Sequence, residues 1–325
     1  MNPDKIRISY WGSPAISAFL LEKLILDNRF DISFVVTQPD KPRSKRGREV
    51  LPSPVKKIAL ENNIPVFEPA SLKKELKTLC DEFSRYNILF HVVFAYGRLI
   101  PADIFNAPIL KTINFHASLL PLLRGAAPIE YALLEGHKKT GWSIQAIVEK
   151  MDAGDVFFQK EISIYEDDTK KSLAEKMISE LLNFGPDVIE KYACKELLSF
   201  KQDENKATFC GKIKTEDAKI NWDDDHIKIR NLYRAFFENP GVFSFFNFKK
   251  IKIDFDLSIP VQNYKINEKA PNGQIISIEK DKFWIVCGDK VSLPVGFIQP
   301  EGKKKMKADD FVNGYRIKEG DVIGR

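Results

Sequence analysis

The chain has 325 residues, of which 44% are hydrophobic and 29% charged; this excludes extensive disorder and supplies enough apolar material for about two domains. Lysine and arginine number 50 against 45 acidic residues, and the resulting charge of +5 is too small by itself to indicate a nucleic-acid binder. No apolar run approaches the roughly 18–20 residues that a membrane-spanning helix needs.

Cys80, Cys194, Cys210 and Cys287 show no C-x-x-C spacing, so neither a disulfide framework nor a zinc site is expected. The opening MNPDKIRISYWG has no apolar signal core, and a cytoplasmic protein is the corresponding expectation. A first strand spans Ile6 to Trp11 and ends at Gly12-Ser13-Pro14. Helical spacing follows over 14–28, then a strand over 31–37 and helices over 54–62 and 71–83. The nearly continuous apolar run 87–95 suits a strand covered on both faces, and Thr112 to His116 is another strand. Strands separated by helices imply right-handed crossovers and a mainly parallel sheet.

From Ser143 to Ile164, two extended stretches flank Met151-Asp152-Ala153-Gly154, as in a hairpin or a strand pair around a loop. A helix over about 169–194 carries Leu173, Met177, Ile178, Leu181 and Leu182 as its stripe, with Asp167 and Asp168 before it as candidate caps. Residues 196–210 contain the polar run QDENK without a clear period and read as a linker. Beyond it lies one helix with Ile229, Leu232, Tyr233 and Phe236 on a face. Short strands follow over 241–256, 274–279, 282–287 and 291–298, a pattern of a small barrel or sandwich.

The segment Thr112 to Arg124, TINFHASLLPLLR, carries the most chemistry. Asn114 and His116 are two apart on a strand, so their side chains share a face, at the carboxyl end where open α/β sheets bind ligands. A carboxamide beside an imidazole can stabilise an oxyanion, and the imidazole can also move a proton. A structural histidine and a turn asparagine fit the same two residues. Asp152, in MDAGD, could partner His116 and hold it in place; an ordinary Asx turn is the alternative. The two acids of this loop, Asp152 and Asp155, could bind a metal, but no paired histidine or further acid supports one. The chain has no G-x-G-x-x-G after its first strand, no P-loop and no G-x-S-x-G elbow, which disfavours dinucleotide binding, nucleotide hydrolysis and serine hydrolysis.

The series Asn114-x-His116-x-Ser118-Leu119-Leu120-Pro121, then Arg124-Gly125-Ala126-Ala127-Pro128-Ile129, then Asp152, resembles the formyltransferases that use 10-formyltetrahydrofolate. The resemblance extends to VVTQPDKP at 35–42, LPSPVK at 51–56, AYG at 95–97, NPG at 239–241 and Gln299 to Met306, and is greatest for the branch that acts on methionyl initiator tRNA. It implies an α/β fold: a Rossmann-like, mainly parallel catalytic domain over 1–195, a linker over 196–210, and an OB-like β-barrel that binds tRNA over 211–325. It implies that the α-amine of the methionyl ester attacks the formyl carbon, that Asn114 and His116 stabilise the oxyanion, and that Asp152 orients His116, without a metal. Ser118, Leu119, Leu120 and Pro121, with Tyr96, Gly97 and Arg98, are then expected along the folate. A sugar-nucleotide N-formyltransferase with the same donor is the rival, and a monomer is the expected state.

Arg43, Lys45, Arg46 and Arg48 form a run without an acid, followed by Glu49 where the family usually has a basic residue. The resemblance makes this a loop reaching the acceptor stem. Lys303, Lys304 and Lys305, and separately Lys249, Lys250 and Lys252, are further basic clusters that could follow an RNA backbone or simply face water. Leu122-Leu123 and Phe237-Glu238-Asn239 depart from the family's usual residues.

Overall fold

The computed structural model describes residues 5–42, 50–259 and 269–324. The chain divides into two units. The first takes Met1–Pro128, Lys139–Ser163 and Glu175–Gly211; the second takes Ile129–Lys138, Ile164–Ala174 and Lys212–Arg325. No helix among the described residues is long and apolar enough to cross a membrane.

The first unit is built on seven strands: β1 (Ile6–Trp11), β2 (Phe30–Val36), β3 (Val66–Phe67), β4 (Phe90–Val93), β5 (Thr112–His116), β6 (Lys139–Ala146) and β7 (Val156–Ser163), in the order β7-β6-β5-β4-β1-β2-β3. The pairs from β3 through β5 are parallel, while β6 runs antiparallel to both its neighbours. The hairpin expected around residue 152 is thus the β6–β7 pair, attached to the end of a parallel sheet.

Local chemistry explains the boundaries. Strand β1 leads into Gly12, where a side chain has no room: a Cβ would lie 1.9 Å from Ser17 Oγ and 2.7 Å from the Phe94 carbonyl oxygen. Helix α1 (Ala15–Ile25) follows Pro14, and α2 (Pro54–Glu61) begins with proline at its first position and Ser53 Oγ accepting the Lys56 N–H at 3.1 Å. Helix α3 is shorter than the sequence reading, Leu76–Ser84, because Ser71 to Glu75 forms a turn closed by Ser71 N–H on Glu75 Oε1. Strand β4 is also shorter than expected. Asn87 and Ala95, which bracket it, adopt left-handed conformations that end an extended run.

One face of the sheet carries an aromatic core of Trp11, Phe34, Phe83 and Tyr96, with Phe34 and Phe83 stacked at 4.6 Å and Trp11 edge-on to Tyr96 at 5.3 Å. Burying each such ring contributes about 1.5–3 kcal/mol, which fixes the sheet that carries the polar residues at its strand ends.

Residues 196–210 are not a free linker. Phe200 exchanges backbone hydrogen bonds with Val156, and Phe209–Cys210 pairs in parallel with Arg124–Gly125, so the stretch is bound into the first unit. Its polar side chains Gln202 and Glu204 serve that packing by pairing with Arg124.

The second unit is an antiparallel sheet of β8 (Phe243–Phe246), β9 (Lys249–Phe255), β10 (Ile275–Ile278), β11 (Phe283–Val286), β12 (Ser292–Pro300) and β13 (Met306–Lys307), in the order β8-β9-β12-β11-β10 with β13 on β12. Its last residues make it barrel-like. Ile323 N–H bonds the Gly273 carbonyl beside β10, and Gly324 N–H bonds the Phe245 carbonyl of β8, so the tail covers both sheet edges. Helix α4 (His226–Phe236) is capped by Asp225, whose carboxylate accepts the Lys228 N–H at 2.7 Å. Its buried Arg234 donates to the Asp168 and Tyr165 carbonyls, which binds residues 164–174 into this unit. The C-terminal helix Ala308–Tyr315 was not anticipated from the sequence.

Candidate active site

Strand β5 places Asn114 opposite Gln145 and His116 opposite Ser143 on β6, so all four side chains share one face. Asn114 also pairs with Val93, the last residue of β4. The site therefore sits at the carboxyl ends of adjacent parallel strands. Among the described residues the Asn114 carboxamide makes no hydrogen bond, and it is only partly buried.

His116 is buried, with Nε2 at 2.9 Å from the Leu123 carbonyl. A carbonyl only accepts, so Nε2 carries the proton. Nδ1 then faces Asp152 Oδ2 at 3.7 Å, too far for a hydrogen bond, and in the neutral ring it presents a lone pair there. Leu123 is buried in a left-handed conformation with φ +56°. It is held by Thr208, whose Oγ1 accepts the Leu123 N–H at 2.9 Å, and its carbonyl also accepts the Cys210 thiol at 3.3 Å.

Asp152 is itself left-handed, φ +50°. Its Oδ2 accepts the Gly125 N–H and its Oδ1 accepts Gln145 Nε2, both at 2.9 Å. The turn after it requires Gly154, where a Cβ would stand 1.8 Å from the Ala146 carbonyl. Beneath the turn, Gln202 Nε2 donates to the Asp152 and Gly154 carbonyls, while its Oε1 accepts from the buried Arg124 guanidinium at 2.9 and 3.0 Å. Glu204 completes the pairing of Arg124 at 2.7 Å and also receives Lys150. These hydrogen bonds from Arg124 and Lys150 lower the Glu204 carboxyl to about 2. Gln145, Gln202, Glu204 and Thr208 were not singled out in the sequence; three of them lie in the stretch read as a linker.

The segment Ser118 to Pro121 is tied to the hairpin. Ser143 Oγ donates to the Ser118 carbonyl and accepts the Leu120 N–H, and Gln159 Nε2 donates to the Leu120 carbonyl. Ser118 Oγ bonds the Leu122 carbonyl, and the Leu120 side chain is buried. Leu119 and Pro121 are the members left partly exposed. Tyr96 packs into the aromatic core beside Trp11, where burial pushes its phenol up to about 12. Gly97, with φ +76°, is exposed in the turn after β4. Arg98 donates to the Pro69 and Ala70 carbonyls and lines an open depression of about 550 Å³ with Leu72, Leu76 and Ile100. A separate cavity of about 280 Å³ beside His91, at the other end of β4, contains none of the expected residues.

Arg43, Lys45, Arg46 and Arg48 lie outside the described residues. On the second unit Lys303, Lys304 and Lys305 are exposed. Lys303 stands over the Tyr315 ring, and Lys305 over Phe297 while paired with Asp254. Lys250 covers Phe243 at 3.6 Å.

The formyl transferase model matches residues 7–189, and the model of the formyl transferase C-terminal domain matches 212–316. The curated methionyl-tRNA formyltransferase of Leptospira interrogans is 38% identical over 98% of this chain and all of its own length. The chain belongs to the methionyl-tRNA formyltransferase family. The family member from Sulfurihydrogenibium is 37% identical over 97% of this chain and 99% of its own. The solved N-formyltransferase of Helicobacter canadensis, in complex with folinic acid and dTDP-3-aminofucose, shares the fold at a TM-score of 0.64 and 19% identity, covering 90% of this chain and 99% of that one. Within the formyltransferase match lie Asn114, His116 and Asp152; Lys303 to Lys305 fall in the C-terminal match.

Proposed function

We propose that this chain transfers the formyl group of 10-formyltetrahydrofolate to the α-amine of methionyl initiator tRNA, giving N-formylmethionyl-tRNA for translation initiation, as a cytoplasmic monomer. Full-length similarity to curated methionyl-tRNA formyltransferases carries the assignment of the acceptor.

The donor set suits a formyl carrier. The Asn114 carboxamide, unpaired among the described residues, shares a sheet face with a histidine whose Nδ1 is backed by a carboxylate. When bound, the folate supplies an electrophilic formyl carbon. Asn114 presents an N–H to the oxygen on which negative charge develops. The attacking α-amine has an ordinary pKa of about 7.7–8.0, so part of it is already neutral near pH 7. His116 Nδ1 is the lone pair placed to carry the proton that the amine gives up and to pass it to the folate nitrogen as that nitrogen's bond to the formyl carbon breaks. A proton taken up at Nδ1 lies against Asp152 Oδ2, and the positive charge on the ring favours the oxyanion through space. Leu119, Pro121 and the Ala95–Gly97 turn form the partly exposed frame for the folate, with Arg98 beyond it. The Lys303–Lys305 cluster and the 43–48 run are the cationic groups for the tRNA backbone.

The test is formyl transfer from 10-formyltetrahydrofolate to methionyl initiator tRNA by the purified chain. Activity on the tRNA, with none on a nucleotide-linked amino sugar, is the expected result. The reverse pattern would overturn the acceptor and leave the donor chemistry in place.

A further inference from the structure

We propose that Gln202 is a positioning residue for formyl transfer: it clamps the left-handed turn at Asp152 to a buried guanidinium and so holds the carboxylate against His116. This inference rests on the formyl-transfer reading above. The sequence separation is 50 residues, and the two sides meet because Phe200 pairs with Val156 and Phe209–Cys210 pairs with Arg124–Gly125.

A glutamine is suited to this position because both ends of its amide are used. Oε1 accepts Arg124 Nε at 3.0 Å and Nη2 at 2.9 Å. Nε2 donates to the Asp152 carbonyl at 2.8 Å, the Gly154 carbonyl at 2.7 Å and Gln145 Oε1 at 3.3 Å. The amide has one workable orientation, since reversing it would set its NH2 against guanidinium donors and its oxygen against two carbonyls. Arg124 is 1% exposed and is anchored in turn by Glu204.

What the clamp holds is a conformation that a residue with a Cβ adopts reluctantly. Asp152 has φ +50°, and Gln202 takes the carbonyls on both sides of Ala153. The same amide touches Gln145, which donates to Asp152 Oδ1. Gln202 thereby holds the backbone of the residue facing His116 and, through Gln145, one of its carboxylate oxygens.

Gln202→Glu tests the idea because it is isosteric and keeps an acceptor for Arg124, while replacing the donor with an oxygen that repels two carbonyls. Gln202→Met removes both functions at similar volume. Steady-state formylation of methionyl initiator tRNA by the full chain is measured for wild type, both variants, Asp152→Asn, and the Gln202→Glu/Asp152→Asn double variant. The expected result is a fall in kcat of about ten- to a hundredfold for Gln202→Glu, with KM for tRNA changed less than about twofold. In the Asp152→Asn background, Gln202→Glu is expected to cost less than about twofold more, because its effect passes through Asp152. A Gln202→Glu enzyme with wild-type kcat, a full additional loss in the double variant, or failure of both single variants to fold would each overturn the role of Gln202 while wild type stays active. A wild type inert toward methionyl initiator tRNA would overturn the functional reading and this inference together.

Discussion

His116 donates its Nε2–H to the Leu123 carbonyl at 2.9 Å, and this bond settles which ring nitrogen faces Asp152. The acceptor is not a passive stretch of backbone. Leu123 has φ +56°, and its N–H is held by Thr208 Oγ1 from 85 residues further along the chain. The tautomer of the central histidine is thus set by the same segment that carries Gln202.

Thr208→Val keeps the side-chain volume and removes the hydroxyl that accepts the Leu123 N–H. Losing this partly buried hydrogen bond costs about 1 kcal/mol, measurable as a lower urea midpoint at unchanged slope. Formylation is expected to fall as well, since Leu123 no longer presents its carbonyl squarely to His116. A variant as stable and active as wild type would show that Leu123 holds its conformation unaided.

Asn114→Ala separates catalysis from stability in the opposite way. Its carboxamide has no hydrogen-bond partner to lose among the described residues, so the melting temperature should stay close to that of wild type. Loss of an oxyanion donor is expected to lower kcat about a hundredfold or more, about 2.7 kcal/mol in the barrier. Single-turnover transfer alongside a thermal melt checks both halves. Unimpaired transfer would remove Asn114 from the chemistry.

Strand β5 was legible residue for residue, from Thr112 to His116, because an apolar run with two polar residues on one face matches the period of a strand. The supporting shell was not. Arg124–Gly125 and Phe209–Cys210 are two-residue strands, too short to carry a period, and the polar run around Gln202 and Glu204 has the composition of a solvated linker. What binds that run is a set of side-chain bonds to carbonyls and to one buried guanidinium, and these leave no periodic trace. The helix Ala308–Tyr315 was missed because the paired acids Asp309 and Asp310 and the interior Gly314 weaken the helical pattern.

Acid should weaken the fold in two separable stages. Burial drives His91 down to about 3 from its ordinary 6.5, so the unfolded chain takes up a proton that the folded ring refuses. Stability from this residue is complete above about pH 6.5 and declines as pH falls toward 3. Glu204 is lowered to about 2 from 4.5 by Arg124 and Lys150, so its share is present above about pH 4.5 and disappears as pH falls toward 2. Urea midpoints across this range should show a gentler slope below pH 6.5 in His91→Gln, and a gentler slope below pH 4.5 in Glu204→Gln. Parallel curves for wild type and variant would mean that the residue does not change its protonation on folding.

The three neighbouring lysines of the second unit should contribute unequally to tRNA binding. Lys305 is already paired with Asp254, and Lys303 stands 5.2 Å over the ring of Tyr315. Lys304 is exposed and has no hydrogen bond or ion pair among the described residues, so its charge is fully available to a phosphate. A lysine on a phosphate releases a counterion, and removing one such contact lowers the slope of log affinity against log salt by about one. Lys304→Gln is therefore expected to weaken tRNA binding and flatten its salt dependence by about that amount. Lys305→Gln should do less, because it also frees a carboxylate that had been neutralised. Titrating methionyl initiator tRNA at several salt concentrations reads both. If Lys305→Gln has the larger effect, the ion pair with Asp254 opens on binding and Lys305 is the phosphate ligand.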